Sequence, residues 1–311
     1  MREAVLITYM GAPSNLKEIK PFLYRLFSDR DLINFGVPEI LQKPLAYLIS
    51  TFRAPKVKPQ YEAIGGGSPL VRNSLEQSRL VEEKVKLKTF VGMLYSEPLL
   101  ERTAEEILKA GIERLYHITL YPQFSYGTVG ACIRDVDKLL KGKKEIRHVK
   151  SWTLNKNYLN WIRELLKKEL RNLPYDKTVV LFSAHSLPKY FVEKKEDPYP
   201  EEVRRTASEV MKSFPEYKYK ISYQSKVGPI EWLEPSTEET LRRIREEGFK
   251  SVVVFPISFV SEHIETLYEL DVEYGNLARD LGLDYRRVKL DHKHPLLISA
   301  ISEEINKLRK N

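Results

Sequence analysis

The sequence predicts an α/β protein of two similar halves, each a parallel sheet flanked by helices. Three observations carry that prediction. Short β-branched runs alternate with longer segments of helical period, which is the pattern of strands joined by helical crossovers. The string Val5 to Pro13 (VLITYMGAP) and the string Val180 to Pro188 (VLFSAHSLP) share an apolar run, a Ser or Thr, a turn and a proline. Finally, a helix ending at Gly111 and another ending at Gly248 each run directly into an apolar strand.

In chain order, the strands are expected at Val5–Tyr9, Thr89–Met93, Leu115–Leu120, Thr178–Ser183, Lys218–Tyr223 and Ser251–Ile257. The helices are expected at Ser68–Val85, Glu101–Ala110, Asn157–Asn172, Glu201–Phe214, Ser236–Glu247 and Glu262–Tyr274. Thr103 with Glu106 and Ser236 with Glu239 have the spacing of capping boxes, and Gly111, Gly248 and Gly275 stand just past helix ends. The two repeats have unequal offsets, so the first half carries extra residues, placed within Pro21–Pro69. Domains are set at 1–150 and 151–311, with the linker near Lys141–Asn157 and the C-terminal helix free to fold back on the first domain.

The 311 residues are enough for two domains with sizeable cores. A hydrophobic fraction of 42% with 14 Gly and 18 Pro excludes disordered, collagen-like and coiled-coil chains. No apolar run approaches the ~20 residues of a membrane span, and the N-terminal MREAVLITYMGAP reads as a strand rather than a signal segment. A single cysteine, Cys132, supports neither an internal disulfide nor a thiolate metal site and fits a reducing, cytoplasmic setting. The net charge of +8 favours anionic partners, but the basic residues lie scattered among acids, without the stripe of a nucleic-acid binder.

Four of the six histidines have plain surroundings: His117 in a strand, His148 near the linker, and His292 and His294 before Pro295. His185 differs. It follows the strand TVVLF at the carboxyl end, where open α/β sheets build their sites, and a neutral imidazole there can ligate a metal or accept a proton. His263 follows a second apolar strand, and the helix after it carries Glu265, Glu269 and Glu273 at intervals of four, on one face. Like charges so spaced repel. A solvated acidic face is one explanation; a track that handles a hydrated divalent cation is the other, with Glu262 and His263 beside its start. The run IGGGSPL (Ile64–Leu70) lacks the lysine of a phosphate-binding loop and reads as a tight turn at a helix start, whose N–H groups and Ser68 could receive a carboxylate. Pro21–Phe27 and Pro44–Phe52 read either as an amphipathic lip resting on a membrane surface or as core.

IGGGSP, TLYPQFS, LFSAHSLP, YQSKVGPIEWLEPST and FPISFVSEHIETLYELDVEY, in that order over nearly the whole chain, resemble the ferrochelatase family. The resemblance implies two Rossmann-like, chelatase-like domains with an active cleft between them, and insertion of Fe²⁺ into protoporphyrin IX with release of two protons. It implies His185 and Glu265 as the central catalytic pair and His185, Glu265, Glu269 and Glu273 as residues that meet the metal. Met10, Arg53, Tyr61, Ser68, Tyr95, Trp232, Phe259 and His263 correspond to porphyrin-contacting positions. Gly92-Met93-Leu94-Tyr95 stands where many relatives have Gly-Phe-Arg-Tyr, so that arginine is absent, and Glu262 stands where animal members carry Asp. With no cysteine after Cys132, no iron–sulfur cluster is expected; iron enters as substrate and no cofactor is required. A coproporphyrin or other tetrapyrrole chelatase is the alternative enzyme, and a non-catalytic haem or porphyrin carrier the alternative of another class. The expected partners are a porphyrin and ferrous iron, with peripheral membrane contact and a monomer or homodimer left open, and no nucleic acid.

Overall fold

A computed structural model describes residues 2–33, 35–226, 228 and 230–310. Val227 and Pro229 of the YQSKVGPIEWLEPST string lie outside the described residues. The strands are β1 (Glu3–Tyr9), β2 (Lys88–Met93), β3 (Arg114–Thr119), β4 (Glu145–His148), β5 (Thr178–His185), β6 (Lys218–Gln224), β7 (Ser251–Pro256) and β8 (Asp284–Arg287). The α-helices are α1 (Ile19–Ser28), α2 (Glu39–Ala63), α3 (Leu70–Val85), α4 (Leu100–Lys109), α5 (Val129–Leu140), α6 (Lys156–Leu170), α7 (Lys189–Lys195), α8 (Tyr199–Met211), α9 (Thr237–Glu246), α10 (Gly275–Asp280) and α11 (Pro295–Lys310). A π-helix spans Glu265–Tyr274.

Two four-stranded parallel sheets result, with orders β2-β1-β3-β4 and β6-β5-β7-β8. The same order occurs twice, so the α/β, two-sheet expectation holds. The chain divides into two compact units. One contains the residues up to Leu120, Tyr126–Lys150 and the chain from Ile301 onward, and the other contains Tyr121–Ser125 and Ser151–Ala300. Helix α11 thus begins in the second unit and ends in the first, where the Arg147 guanidinium donates to the Leu308 carbonyl at 2.7 Å. Helices α1 and α2 stand between β1 and α3, where the second half has only α7 between β5 and α8.

Central strands of a parallel sheet are covered on both faces, which is why β1 and β5 read as continuous apolar runs. Ala4 and Leu6 meet Phe90, Leu100, Ile107 and Leu115 in the first core, and Val179 and Leu181 meet Leu241, Ile244, Val252 and Leu270 in the second. Each large apolar side chain of these cores contributes about 1.5–3 kcal/mol by leaving water.

Several expectations need correction. Strands β4 (EIRH) and β8 (DYRR) are absent from the sequence-based order, and β4 falls within the expected linker; both are short, charged edges whose side chains, buried Arg287 apart, are exposed or only partly covered. Helix α4 starts at Leu100, so Thr103 is inside it rather than its cap, and its hydroxyl donates to the Val91 carbonyl at 2.8 Å. Ser236 with Glu239 does form a capping box. Gly275 ends nothing: its φ is −64° and the chain passes straight from the π-helix into α10. The stretch expected as an ordinary helix from Glu262 is wound as a π-helix from Glu265, with the Gly275 N–H donating to the Leu270 carbonyl five residues back. The glycine turn behaves as expected. Gly65 and Gly66 take φ of +99° and +91°, and a Cβ on Gly67 would collide with the Ser14 carbonyl oxygen, so the loop closes against Pro13–Asn15 and α3 follows.

Candidate active site

Strand β6 lies on one side of β5 and β7 on the other, so the order reverses at the carboxyl ends of β5 and β7, the place where open α/β sheets bind ligands. His185 is the last residue of β5, and Ser258 to His263 follow β7. The His185 backbone is fixed from two sides. Its N–H donates to Ser258 Oγ at 3.1 Å, and its carbonyl accepts the buried Tyr199 hydroxyl at 3.0 Å. The ring then points Nδ1 at Glu265 Oε2, 2.8 Å away, which leaves Nε2 as the atom this bond does not occupy. Phe259 stands edge-on to the imidazole at 6.4 Å and tilts against the His263 ring at 4.2 Å. His263 is buried, neither ring nitrogen has a hydrogen-bond partner, and Nε2 lies 3.6 Å from Glu265 Oε1.

Ser225, one residue past β6, sets its hydroxyl oxygen 2.8 Å from Glu265 Oε2 and 2.5 Å from Glu269 Oε2, with a single hydroxyl proton to share between the two contacts. The Glu265 side chain is 20% exposed, Glu269 is half-buried and Glu273 is exposed, so the acids step outward from the strand ends toward solvent. The other face of the π-helix is anchored separately. The buried Arg287 guanidinium grips Asp271 through two bonds of 2.5 and 2.7 Å and Glu262 through one of 2.7 Å, and Glu262 also accepts the Leu290 N–H and the Thr266 hydroxyl. Glu262 is therefore an anchor rather than part of the acid row. Among the described residues no three His, Cys, Asp or Glu side chains gather closely enough to cage a metal.

Electrostatics separates the acids. Burial acts to raise the Glu265 pKa, but the charge and hydrogen bond of His185, joined by His263, outweigh it and hold the carboxyl well below its ordinary 4.5. Burial likewise acts to lower His185, and the charge and hydrogen bond of Glu265 overcome it, leaving the imidazole more basic than the ordinary 6.5. Burial first, and then the negative charge of Glu265, push Glu269 up to about 8. The fold therefore favours protonated Glu269. At pH below 4.5 folded and unfolded chains both hold that proton; as pH rises the unfolded chain releases it first, so stability drains away until about pH 8. Glu269→Gln removes that loss. Its thermal midpoint should match the parent's at acid pH and exceed it increasingly toward alkaline pH, which a series of melting curves checks.

A family model described as Ferrochelatase matches residues 2–308. The ferrochelatase of Gloeothece citriformis is 38% identical over 100% of this chain and 84% of its own, and that of a Sulfurihydrogenibium species is 38% identical over 97% of both. The chain belongs to the ferrochelatase family. Membership makes it a porphyrin metal chelatase, a lyase of haem synthesis. Solved structures of SirB from Bacillus subtilis with Fe³⁺ (TM-score 0.59, 10% identity, 99% of this chain and 96% of that one) and of CbiX, a terminal enzyme of sirohaem synthesis in denitrifying bacteria (TM-score 0.53, 12%, 99% of each), share the fold.

Of the positions the ferrochelatase resemblance implied, the second unit brings His185, Glu265, Glu269, Phe259 and His263 together, with Glu273 at the outer end of the row. Trp232 lies in the segment paired antiparallel to Pro188, three residues after His185. In the first unit Met10 follows β1, and its carbonyl accepts the Tyr95 N–H at 3.0 Å. Tyr95 is buried, with its hydroxyl donating to Asp29 at 2.7 Å. Ser68 is buried at the start of α3, Tyr61 is buried near the end of α2, and Arg53 lies over the Phe27 ring at 5.8 Å. Sequence reading misses Ser225, Tyr199, Ser258 and Arg287. Ser225 and Ser258 do lie within quoted strings, YQSKVGPIEWLEPST and FPISFVSEHIETLYELDVEY, but nothing in either string marks the serine out.

Proposed function

We propose that the chain inserts Fe²⁺ into protoporphyrin IX, with His185 as the base that removes pyrrole protons and Glu265 as the partner that orients its ring. The observation that carries this reading is the line of contacts from His185 Nδ1 through Glu265 and Ser225 to Glu269, with exposed Glu273 four residues further along the helix. A flat porphyrin meets the incoming ion with two N–H groups where lone pairs are needed. Binding it bent, at ~1–5 kcal/mol of strain drawn from remote contacts, turns the nitrogens toward one face and is worth about fivefold to a few thousandfold in rate. His185 Nε2 accepts one proton as the metal displaces it, Glu265 stabilises the imidazolium that forms, and Nε2 releases that proton before it accepts the second. Glu269 and Glu273 lead the cation inward and protons outward. The porphyrin-contacting roles of Met10, Arg53, Tyr61, Ser68, Tyr95, Trp232, Phe259 and His263 are carried over from the resemblance. Anaerobic Fe²⁺ insertion followed by absorbance, with protoporphyrin and coproporphyrin side by side, tests the assignment: faster turnover of coproporphyrin would replace the substrate, and no turnover of either would end the reading in favour of a carrier.

The preference for the less charged porphyrin and a cytoplasmic protein with peripheral membrane contact both draw support from α2. No described helix is long and apolar enough to cross a membrane. Yet α2 leaves Ile40, Leu41, Tyr47, Leu48 and Phe52 exposed, with Lys43, Arg53, Lys56 and Lys58 on the same helix. Phe22, part of the lip expected from sequence, is instead 8% exposed and packs edge-on against Tyr95, so a charge there would disturb the core; Phe52 at 70% is the residue to change. Sedimentation with anionic liposomes is expected for the native chain and largely lost in Phe52→Asp with Ile40→Asp, with the same melting temperature. Equal sedimentation would remove the membrane contact.

A further inference from the structure

The line of contacts at the strand ends runs through one side chain for which the proposed chemistry gives no role. Ser225 has φ of +66°, a left-handed conformation that residues with a Cβ seldom adopt. That backbone sets its hydroxyl between two carboxylates, 2.8 Å from Glu265 Oε2 and 2.5 Å from Glu269 Oε2. Glu265 Oε2 is also the oxygen that receives His185 Nδ1–H, so one carboxylate oxygen is clamped between the imidazole and the serine. Among the described residues, the Ser225 contact is the one side-chain hydrogen bond that Glu269 makes. Two acids a turn apart on one helix face would otherwise spread away from each other.

We infer that Ser225 is a positioning residue for metal insertion: its hydroxyl ties Glu265 and Glu269 to a single atom, so that the His185–Glu265 pair and the outer acids act as one device. The inference rests on the metal-insertion reading above. Glu265 keeps other restraints without Ser225, from His185 and from the Gln224 amide at 3.5 Å, whereas Glu269 keeps none among the described residues. Loss of the hydroxyl therefore acts mainly through Glu269.

Ser225→Gly is the informative variant, because glycine takes a positive φ without a steric cost and only the hydroxyl is lost. With zinc or iron as the metal, its kcat should fall by about tenfold to a hundredfold, the scale of a misplaced group at a reacting centre. Porphyrin affinity, read by fluorescence quenching, and the melting temperature should stay at the parent's values. Adding Glu269→Gln to Ser225→Gly should lower kcat little further, since residues acting as a unit are not additive. A Ser225→Gly kcat within about twofold of the parent, or single effects that multiply in the double variant, overturns the inference. If the glycine lowers the melting temperature, Ser225→Asn, which tolerates a left-handed φ and keeps amide donors, should regain activity, and failure to do so also overturns it. A parent enzyme that inserts no metal defeats the reading and this inference together; a parent that does, with His185→Ala inactive and Ser225→Gly unaffected, defeats the inference alone.

Discussion

Replacing His185 with alanine is expected to lower turnover of iron or zinc insertion by about 10²–10⁴-fold, the usual worth of a positioned base, while porphyrin is still bound. The side chain is 34% exposed at a strand end, its backbone bonds to Ser258 and Tyr199 do not involve the ring, and the fold should survive. What disappears is the acceptor at Nε2, and Glu265 loses the imidazole whose charge and hydrogen bond offset its burial and lower its pKa. The pH dependence gives a second readout. A base must be unprotonated to act, so the rate rises with pH through the His185 pKa, which the Glu265 charge holds above 6.5. Glu265→Gln removes that charge and should shift the rising limb to lower pH as well as slow the reaction. Turnover in His185→Ala within about tenfold of the parent would refute the role of the imidazole.

The parts of this fold legible in the sequence are those where burial leaves one physical option. Residues 178–185 can only be a covered strand, because TVVLFSAH has too many branched apolar residues for a surface and too few residues for a helix between its turns. In the same sheet β8, DYRR, carries three charges in four residues and reads as loop, since an edge strand needs only half its side chains covered. Helix α2 is hidden for another reason. Pro44, Pro55 and Pro59 break the helical pattern on paper, but the helix is largely exposed, so water can satisfy the carbonyls that lose their N–H donors. The π-winding of Glu265–Tyr274 leaves no mark in the sequence either, because acids four apart lie near one another in both windings.

The site follows the same logic. His185 is visible because its position after an apolar strand is a statement about topology, and Glu265 because its spacing to Glu269 and Glu273 is periodic. Ser225 has neither signal: a serine after a strand is ordinary, and what makes it distinctive is a backbone angle. Arg287 is masked by its company. In DYRR the second arginine looks like a solvated charge, yet it is 8% exposed, and the reason lies in sequence-distant acids at 262 and 271.

That arginine should carry much of the second unit's stability. Its side chain meets Asp271 through two bonds, Glu262 through one and the Val288 carbonyl at 3.1 Å, and together these tie the π-helix to the end of β8. Arg287→Met keeps the bulk but leaves Glu262, 15% exposed, and the more open Asp271 facing each other without a cation. Breaking a buried pair on one side costs about 3–5 kcal/mol, far more than the intact pair contributes, because an uncompensated charge remains. At ~2–4 °C per kcal/mol for a unit of this size, the melting point should fall by about 6–20 °C. Adding Glu262→Gln and Asp271→Asn removes the stranded charges and should restore most of that loss, although the helix is then tethered less firmly. Metal insertion measured well below the melting point separates the two consequences: if the anchor only stabilises, the triple variant recovers activity with stability, whereas an anchor that also sets where Glu265 and Glu269 stand leaves it stable and slow.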